Sequence, residues 1–454
     1  DEVEANKLYE SGALFPATAA ITAAKPAAAS NWETPAASLL SLTIQADDVG
    51  NRISNANEFY EKLGGDGNGG VDLTANYSLA NDINLEDYRD SNSLPVDSWE
   101  GPTGYQGHFF GNGYTIRGLK LKPSQSARNL ALFKTLGDGA VVENFSIEAE
   151  TSQRSDVHNL SFGGILGLVN TSGTRTIRNV HLTGTFEFAN ITSTFLTVGG
   201  LICEFQGAGG GSIIENCSVD LSIDVESTNT ATNTSNIIAI GGILAVSRAP
   251  VTIRNCRANV DFQIKLANNQ KVYIGGIAGM GGTNSALTVS NCYSTGDIVL
   301  DNSARTDFSA ITNDVFVGGI AGGKRYGENA VSLTIENCAA LVKRTLAIEP
   351  TGNEDIAHVE RIYGGDNPSG SAGVVTFSNN YALKNMRVGK TNGAYPGADD
   401  AGDAGSLAGL GKTEAQFKLP ATWKTGALGW SDTIWDFDGL TKTGAAFYWP
   451  VLKK

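Results

Sequence analysis

Four of the five cysteines in this chain, Cys217, Cys256, Cys292 and Cys338, directly follow an asparagine, each at the end of a short β-branched run. Thiolates ligate metals and exchange disulfides, so metal or redox chemistry is the first reading to weigh. Zinc sites want ligands two to four residues apart in pairs. These cysteines come once per repeat with no histidine beside them, and five is an odd count for a disulfide framework. The four histidines, His108, His158, His181 and His358, stand in no nucleophile or zinc motif. Carboxylates are the other candidates. Asp220, Asp224, Asp261 and Asp297 follow the asparagines of successive repeats at offsets of 4, 8, 6 and 6 residues, so only Asp261 and Asp297 align. A pair of carboxyls about 5 to 10 Å apart is what glycoside hydrolysis requires. A solvated acidic strand edge would look the same. No cofactor or metal is expected, and the single GGDGNGG stretch (64–70) reads as a helix stop and loop.

The asparagines themselves define the scaffold. Seven copies align at Asn144, Asn179, Asn216, Asn255, Asn291, Asn337 and Asn379, with an apolar residue always two places before. Apolar residues in a strand recur at every second position, and here the alternation breaks across the asparagine. A one-residue left-handed bend accounts for the break, because asparagine is the non-glycine residue that tolerates that conformation best. Stacked coils would let the amides bond to one another up the stack, with Cys filling the inward corner behind the bend. A structural ladder is therefore expected of Asn144, Asn179, Asn216, Asn255, Asn291, Asn337, Asn379, Cys217, Cys256, Cys292 and Cys338. The residues before the first four asparagines, Glu143, Arg178, Glu215 and Arg254, would alternate in charge on an outer face.

A second signal runs in step. The run FGGILG (162–167) recurs as VGGLIC, IGGILA, IGGIAG and VGGIAG, and weakly as IYGGDN. The first glycines, Gly163, Gly199, Gly241, Gly275, Gly318 and Gly364, are 36, 42, 34, 43 and 46 residues apart. Self-similarity at that period marks a solenoid or propeller, which grows by adding units to one core. The expected fold is all-β, a parallel β-helix solenoid with one coil of three short strands per repeat. Residues 51–400 would form the β-helix with its N-terminal cap, 401–454 a C-terminal cap, and 1–50 an Ala- and Pro-rich leader.

Both caps are legible. In RISNANEFYEKLGG (52–65), Asn55 and Glu58 stand at capping-box spacing and Gly64 stops the helix. Four of the six tryptophans, Trp423, Trp430, Trp435 and Trp449, fall near the C-terminus. They read as a hydrophobic plug or as a sugar platform, so Trp430 joins Asp261 and Asp297 as a candidate ligand contact. With 33 basic against 47 acidic residues the net charge is −14, which disfavours nucleic acid as a partner. No apolar run is long enough to span a membrane. The start at Asp1 suggests a processed N-terminus.

The I/V-G-G-I/L-x-G strand followed by T-I-x-N-C-Y-x-T-G-x-I, clearest in IGGIAG (274–279) with LTVSNCYSTGDIVL (287–300), resembles the GLUG-type repeats of bacterial cell-surface proteins. ISNANEFYEKL with LANDINL resembles their N-terminal cap, and LGWSDTIWDFDG with YWPVL their C-terminal end. The resemblance implies a right-handed parallel β-helix, adhesin-like, on the outer surface of a Gram-negative cell. A monomer is expected, secreted or attached to the outer membrane, with a lipid anchor upstream of residue 1 as one means of attachment. It carries over no catalytic residue. The function expected is therefore non-enzymatic binding of a glycan or surface protein along the flank. A carbohydrate-active enzyme is the alternative, recognisable by a local break in the repeat with convergent carboxylates and basic residues. A structural spacer of a surface fibre is the third.

Overall fold

The computed structural model describes residues 51–64, 71–89, 99–121, 129–151, 160–169, 172–192, 196–207, 210–228, 237–267, 271–282, 286–304, 315–324, 332–348, 357–365, 374–390, 405–441 and 449–453. The expected leader, residues 65–70 of the GGDGNGG stretch and His158 lie outside them. The chain divides between Arg52 and Ile53, and the parallel sheets belong to the second unit.

That unit is all-β, with long parallel sheets in which each strand pairs with its counterpart one repeat away. Six strands carry the first glycine pair position or its equivalent, from Leu160–Gly163 to Ala357–Glu360, and five follow it, from Leu166–Val169 to Ala321–Lys324. The largest sheet holds the strands on either side of the asparagines. Its register keeps Ile177, Ile214, Ile253, Val289, Ile335 and Phe377 in one row. The arrangement is β-helix-like. The middle levels contain four strand segments rather than the three expected, as in Ile237–Gly241, Leu244–Ser247, Val251–Arg254 and Arg257–Leu266.

The bends are as physical chemistry requires. The seven aligned asparagines have φ between 52° and 62°, the left-handed region. Their amides bond level to level at Asn179 to Asn144 (2.7 Å), Asn291 to Asn255 (3.3 Å) and Asn379 to Asn337 (3.0 Å). Asn216 Oδ1 is buried with no partner among the described residues. Behind the bend each thiol is buried, and its Sγ–H donates to the carbonyl two residues earlier, at 3.3, 3.2, 3.1 and 3.2 Å for Cys217, Cys256, Cys292 and Cys338. At the last level Asn380 replaces the cysteine; its amide donates to Ile335 O (2.7 Å) and its Oδ1 accepts from Cys338 N (3.0 Å). An amide thus closes the thiol column.

Glycine pairs are needed because backbones touch there. A Cβ on Gly242 would stand 2.1 Å from Gly276 O, and one on Gly276 2.1 Å from Gly319 O. Isoleucine and leucine on either side fill one continuous core, while Ile237, Ala239, Ala245, Val246, Tyr273, Met280 and Phe316 form a separate small cluster.

Helix α1, Ala56–Leu63, buries Ala56, Phe59 and Leu63, with Asn55 Oδ1 accepting from Glu58 N (3.0 Å). The Glu58 side chain reaches back to Ser54 N (2.7 Å), one residue beyond the cap itself. At the other end α2, Glu414–Phe417, and α3, Pro420–Lys424, lead into the tryptophan cluster. That cluster does more than plug the last coil. It folds back along the outer face of the long strands, where Tyr293 packs against Trp423, Trp430 and Trp435 and donates its hydroxyl to Pro450 O (2.5 Å).

Candidate functional site

Side chains two, four and six places beyond each bend leave the long sheet on its outer face, since strand side chains alternate. Three neighbouring strands, Ser218–Ser227, Arg257–Leu266 and Tyr293–Asp301, concentrate polar groups there. Asp220, Asn259 and Thr295 stand in one row of the register, and Ser222, Asp261 and Asp297 in another. Asp261 and Asp297 are therefore direct neighbours across one strand gap, about 4.8 Å, with Asp220 diagonal to Asp261.

Arginines reach in from adjacent levels. Arg257 holds Asp220 through two bonds (2.9 and 2.7 Å), and Asn259 Nδ2 adds a third (3.1 Å). Burial would raise the Asp220 carboxyl, but Arg257, Asn259 and His181 outweigh it and hold the pKa below the ordinary value, keeping it an anion. His181 bridges the next level, with Nδ1 2.7 Å from Ser218 Oγ and Nε2 3.6 Å from Asp220 Oδ2. Arg344 binds Asp297 Oδ2 through Nε and Nη2 (2.9 and 2.5 Å), while Asp297 Oδ1 is buried without a partner among the described residues. Asp261 is exposed and meets Gln263 (3.2 Å).

Beside this group the repeat breaks. Tyr293 and Ser294 pair with Ala339 and Ala340, yet Asp297 pairs with Arg344, so one extra residue is accommodated between Ala340 and Arg344. Gly296 turns with φ +94° opposite the extra residue. The break was invisible in the sequence because a single inserted residue changes no motif. The arginines were missed for a related reason: Arg257 and Asp220 stand at different offsets from their bends and meet only diagonally.

The remaining sequence candidates lie elsewhere. Trp430 is 2% exposed, stacked on Trp435 at 4.6 Å, and donates Nε1–H to Asn337 O (2.9 Å), so it offers no ring face to a ligand. The expected outward Glu and Arg row pairs as Glu143 with Arg178 and Glu215 with Arg254. Glu143 departs from that expectation. It is buried under His108 of the preceding level, whose Nε2 lies 2.6 Å from it, because the first level carries His108 and Phe110 at this edge. Asp224 sits two places beyond Ser222 on the same strand. Among the described residues no three His, Cys, Asp or Glu side chains gather as metal ligands, and no helix is long and apolar enough to cross a membrane.

No family model matches the chain, and no curated protein matches it. Among solved structures it is similar to a candidate immunoglobulin A1 protease from Bacteroides ovatus, with 17% identity and a TM-score of 0.44 over 88% of this chain and 91% of that one. It is also similar to a structure named IgA1 Protease, with 15% identity and a TM-score of 0.46 over 84% of this chain. The chain spans about a quarter of that second protein, 27%. Both names are those of enzymes, and on that finding the expectation that this chain is not an enzyme is withdrawn.

Proposed function

We propose that the chain is a right-handed parallel β-helix of GLUG-type repeats that works outside the cell and acts on a glycan polymer as a carbohydrate-active enzyme. The resemblance of the repeats to those of cell-surface proteins supports the location. The chemistry rests on one observation, the convergence of Asp220, Asp261 and Asp297 with Arg257 and Arg344 on one rigid face beside the break before Arg344. In-register neighbours on adjacent strands lie roughly 5 Å apart and diagonal ones roughly 7 to 8 Å, which spans the carboxyl separations used by retaining and inverting glycosidases. Asp220, held as an anion, suits the stabilising or base role, and the exposed Asp261 is the carboxyl open to a substrate. The arginines position the carboxylates and keep three acids from repelling one another.

Incubation of the full chain with a panel of neutral and acidic polysaccharides, read for reducing and unsaturated ends, tests this directly. Release from at least one polymer is expected, falling by about 10²- to 10⁴-fold in Asp261→Asn and Asp297→Asn and unchanged in Asp301→Asn. A folded protein that releases nothing from any of them overturns the proposal. Fragmentation of immunoglobulin A1 in a parallel incubation, without glycan products, would replace it with a proteolytic function.

A further inference from the structure

Charge is balanced differently along the stack. On the early levels the exposed Glu148 and Glu150 are met by Arg117 (3.4 Å) and Lys120 (4.0 Å). On the last three levels stand Lys343, Arg344, Lys384, Arg387 and Lys412. Their backbones are directly joined: Arg344 and Arg387 are paired residues of adjacent strands, Arg387 N donates to Lys343 O (2.9 Å), and Lys384 N donates to Lys412 O (2.8 Å). Lys343 and Arg387 are exposed. Arg344 meets Asp297, and the ammonium of Lys412 lies 5.0 Å from the Tyr381 ring centroid. Among the described residues no carboxylate forms an ion pair with Lys343 or Lys384. In a chain of net charge −14 the cluster does not follow from a basic composition. A ligand bearing spaced anions would complement it.

We infer that this ridge binds an acidic polysaccharide, one with a carboxylate on its repeating sugars, lying along the stack and leading to Asp261 and Asp297. The inference rests on the proposed function only for what happens at those two residues. One cation row per level, about 4.8 Å apart, suits a polymer with one charge per sugar. A duplex with a charge every 1.7 Å or so would meet Asp261, Asp297 and Asp301 with far denser repulsion. Single strands are usually held by stacking on aromatic faces, and Tyr381 is buried.

Calorimetric titration of the full chain with polygalacturonate, dextran and single-stranded DNA provides the test, at low and high salt. Polygalacturonate is expected to bind and dextran not. Lys343→Ala/Lys384→Ala/Arg387→Ala should weaken binding by about tenfold or more, with an unchanged melting curve, and binding should fade as the Debye length shrinks from about 10 Å at 0.1 M to about 3 Å at 1 M salt. Binding without turnover in the parent chain sinks the proposed function and leaves the ridge standing. Turnover of a neutral polymer, indifferent to the triple substitution, does the reverse. Unchanged polygalacturonate binding in the triple variant, or equally tight binding of the DNA, overturns the inference.

Discussion

Single residues carry this fold where the backbone is forced into an unusual conformation. Asparagine at φ near 53° satisfies the bend and, across three of the six gaps between levels, an amide-to-amide bond, so the seven positions can be found from spacing alone. Their contributions differ. Asn291 donates to Asn255, whereas Asn216 buries an oxygen with no partner among the described residues. Asn291→Gly keeps the bend but loses the bond and adds unfolded-state freedom, an expected cost of about 1 to 2 kcal/mol in urea titration. Asn216→Gly also removes the unsatisfied oxygen and should shift stability by less than about 0.5 kcal/mol. An equal loss at both sites would refute the ladder's energetic role. Glu143 makes a pH-dependent contribution. Burial favours its neutral form, but bonds from His108 and Arg178 outweigh this and lower its pKa from 4.5 to about 2. A carboxyl depressed in the folded state stabilises above its ordinary pKa and loses that contribution as pH falls toward 2. Glu143→Gln should therefore flatten the acid limb of the stability curve between about pH 4.5 and 2, removing on the order of 2 to 3 kcal/mol of pH dependence.

At the scale of elements, local signals were legible and distant contacts were not. Helix α1 follows from Asn55, Glu58 and Gly64, and the in-register neighbours Asp261 and Asp297 follow from their shared offset of six. What the C-terminal tryptophans cover could not be read, because Tyr293 and Pro450 are 157 residues apart and no periodicity links them. Burial of aromatic area drives the cap onto whichever face is apolar, and here that face is the row of Tyr293, Ala339 and Tyr381. Trp430 fills its centre. Trp430→Ala should cost about 3 to 5 kcal/mol, measured by loss of the cap's tryptophan fluorescence before the sheets unfold. The Tyr293 hydroxyl supplies a second readout. Burial pushes its pKa well above the ordinary 10, as it does for Tyr60 and Tyr105, so several tyrosines of the parent chain should resist alkaline titration and the variant should show one fewer. If Tyr293 still resists, the cap is held by something other than its tryptophans.

The second unit behaves as a stack, and stacks fail locally. Each level touches mainly its two neighbours, so stability is a sum of level and interface terms, and a damaged interface can separate the two sides. The Gly-Gly positions are the sharpest place to test this, since side chains there would enter backbone and not solvent. A methyl on Gly242 would sit 2.1 Å from Gly276 O and 2.8 Å from Ala258 Cβ, so the backbone carbonyl of the next level must move. Gly242→Ala should cost more than about 2 kcal/mol through this overpacking and divide unfolding into two phases. Hydrogen exchange would locate them, with strands before Gly241 and strands after Lys271 losing protection at different urea concentrations. Gly429→Ala is the contrasting case: with φ +59° but open space around its Cβ, it should incur only the cost of left-handed strain, about 1 to 2 kcal/mol, and leave the stack's unfolding in one phase. The same logic bears on function. A site spread over three strands of one such stack keeps its geometry only while those levels stay in register, so Gly276→Ala, which strikes the interface at the level of Ser294, should abolish glycan release more completely than its loss of stability alone accounts for. Release that merely tracks the folded fraction would place the chemistry away from the three strands.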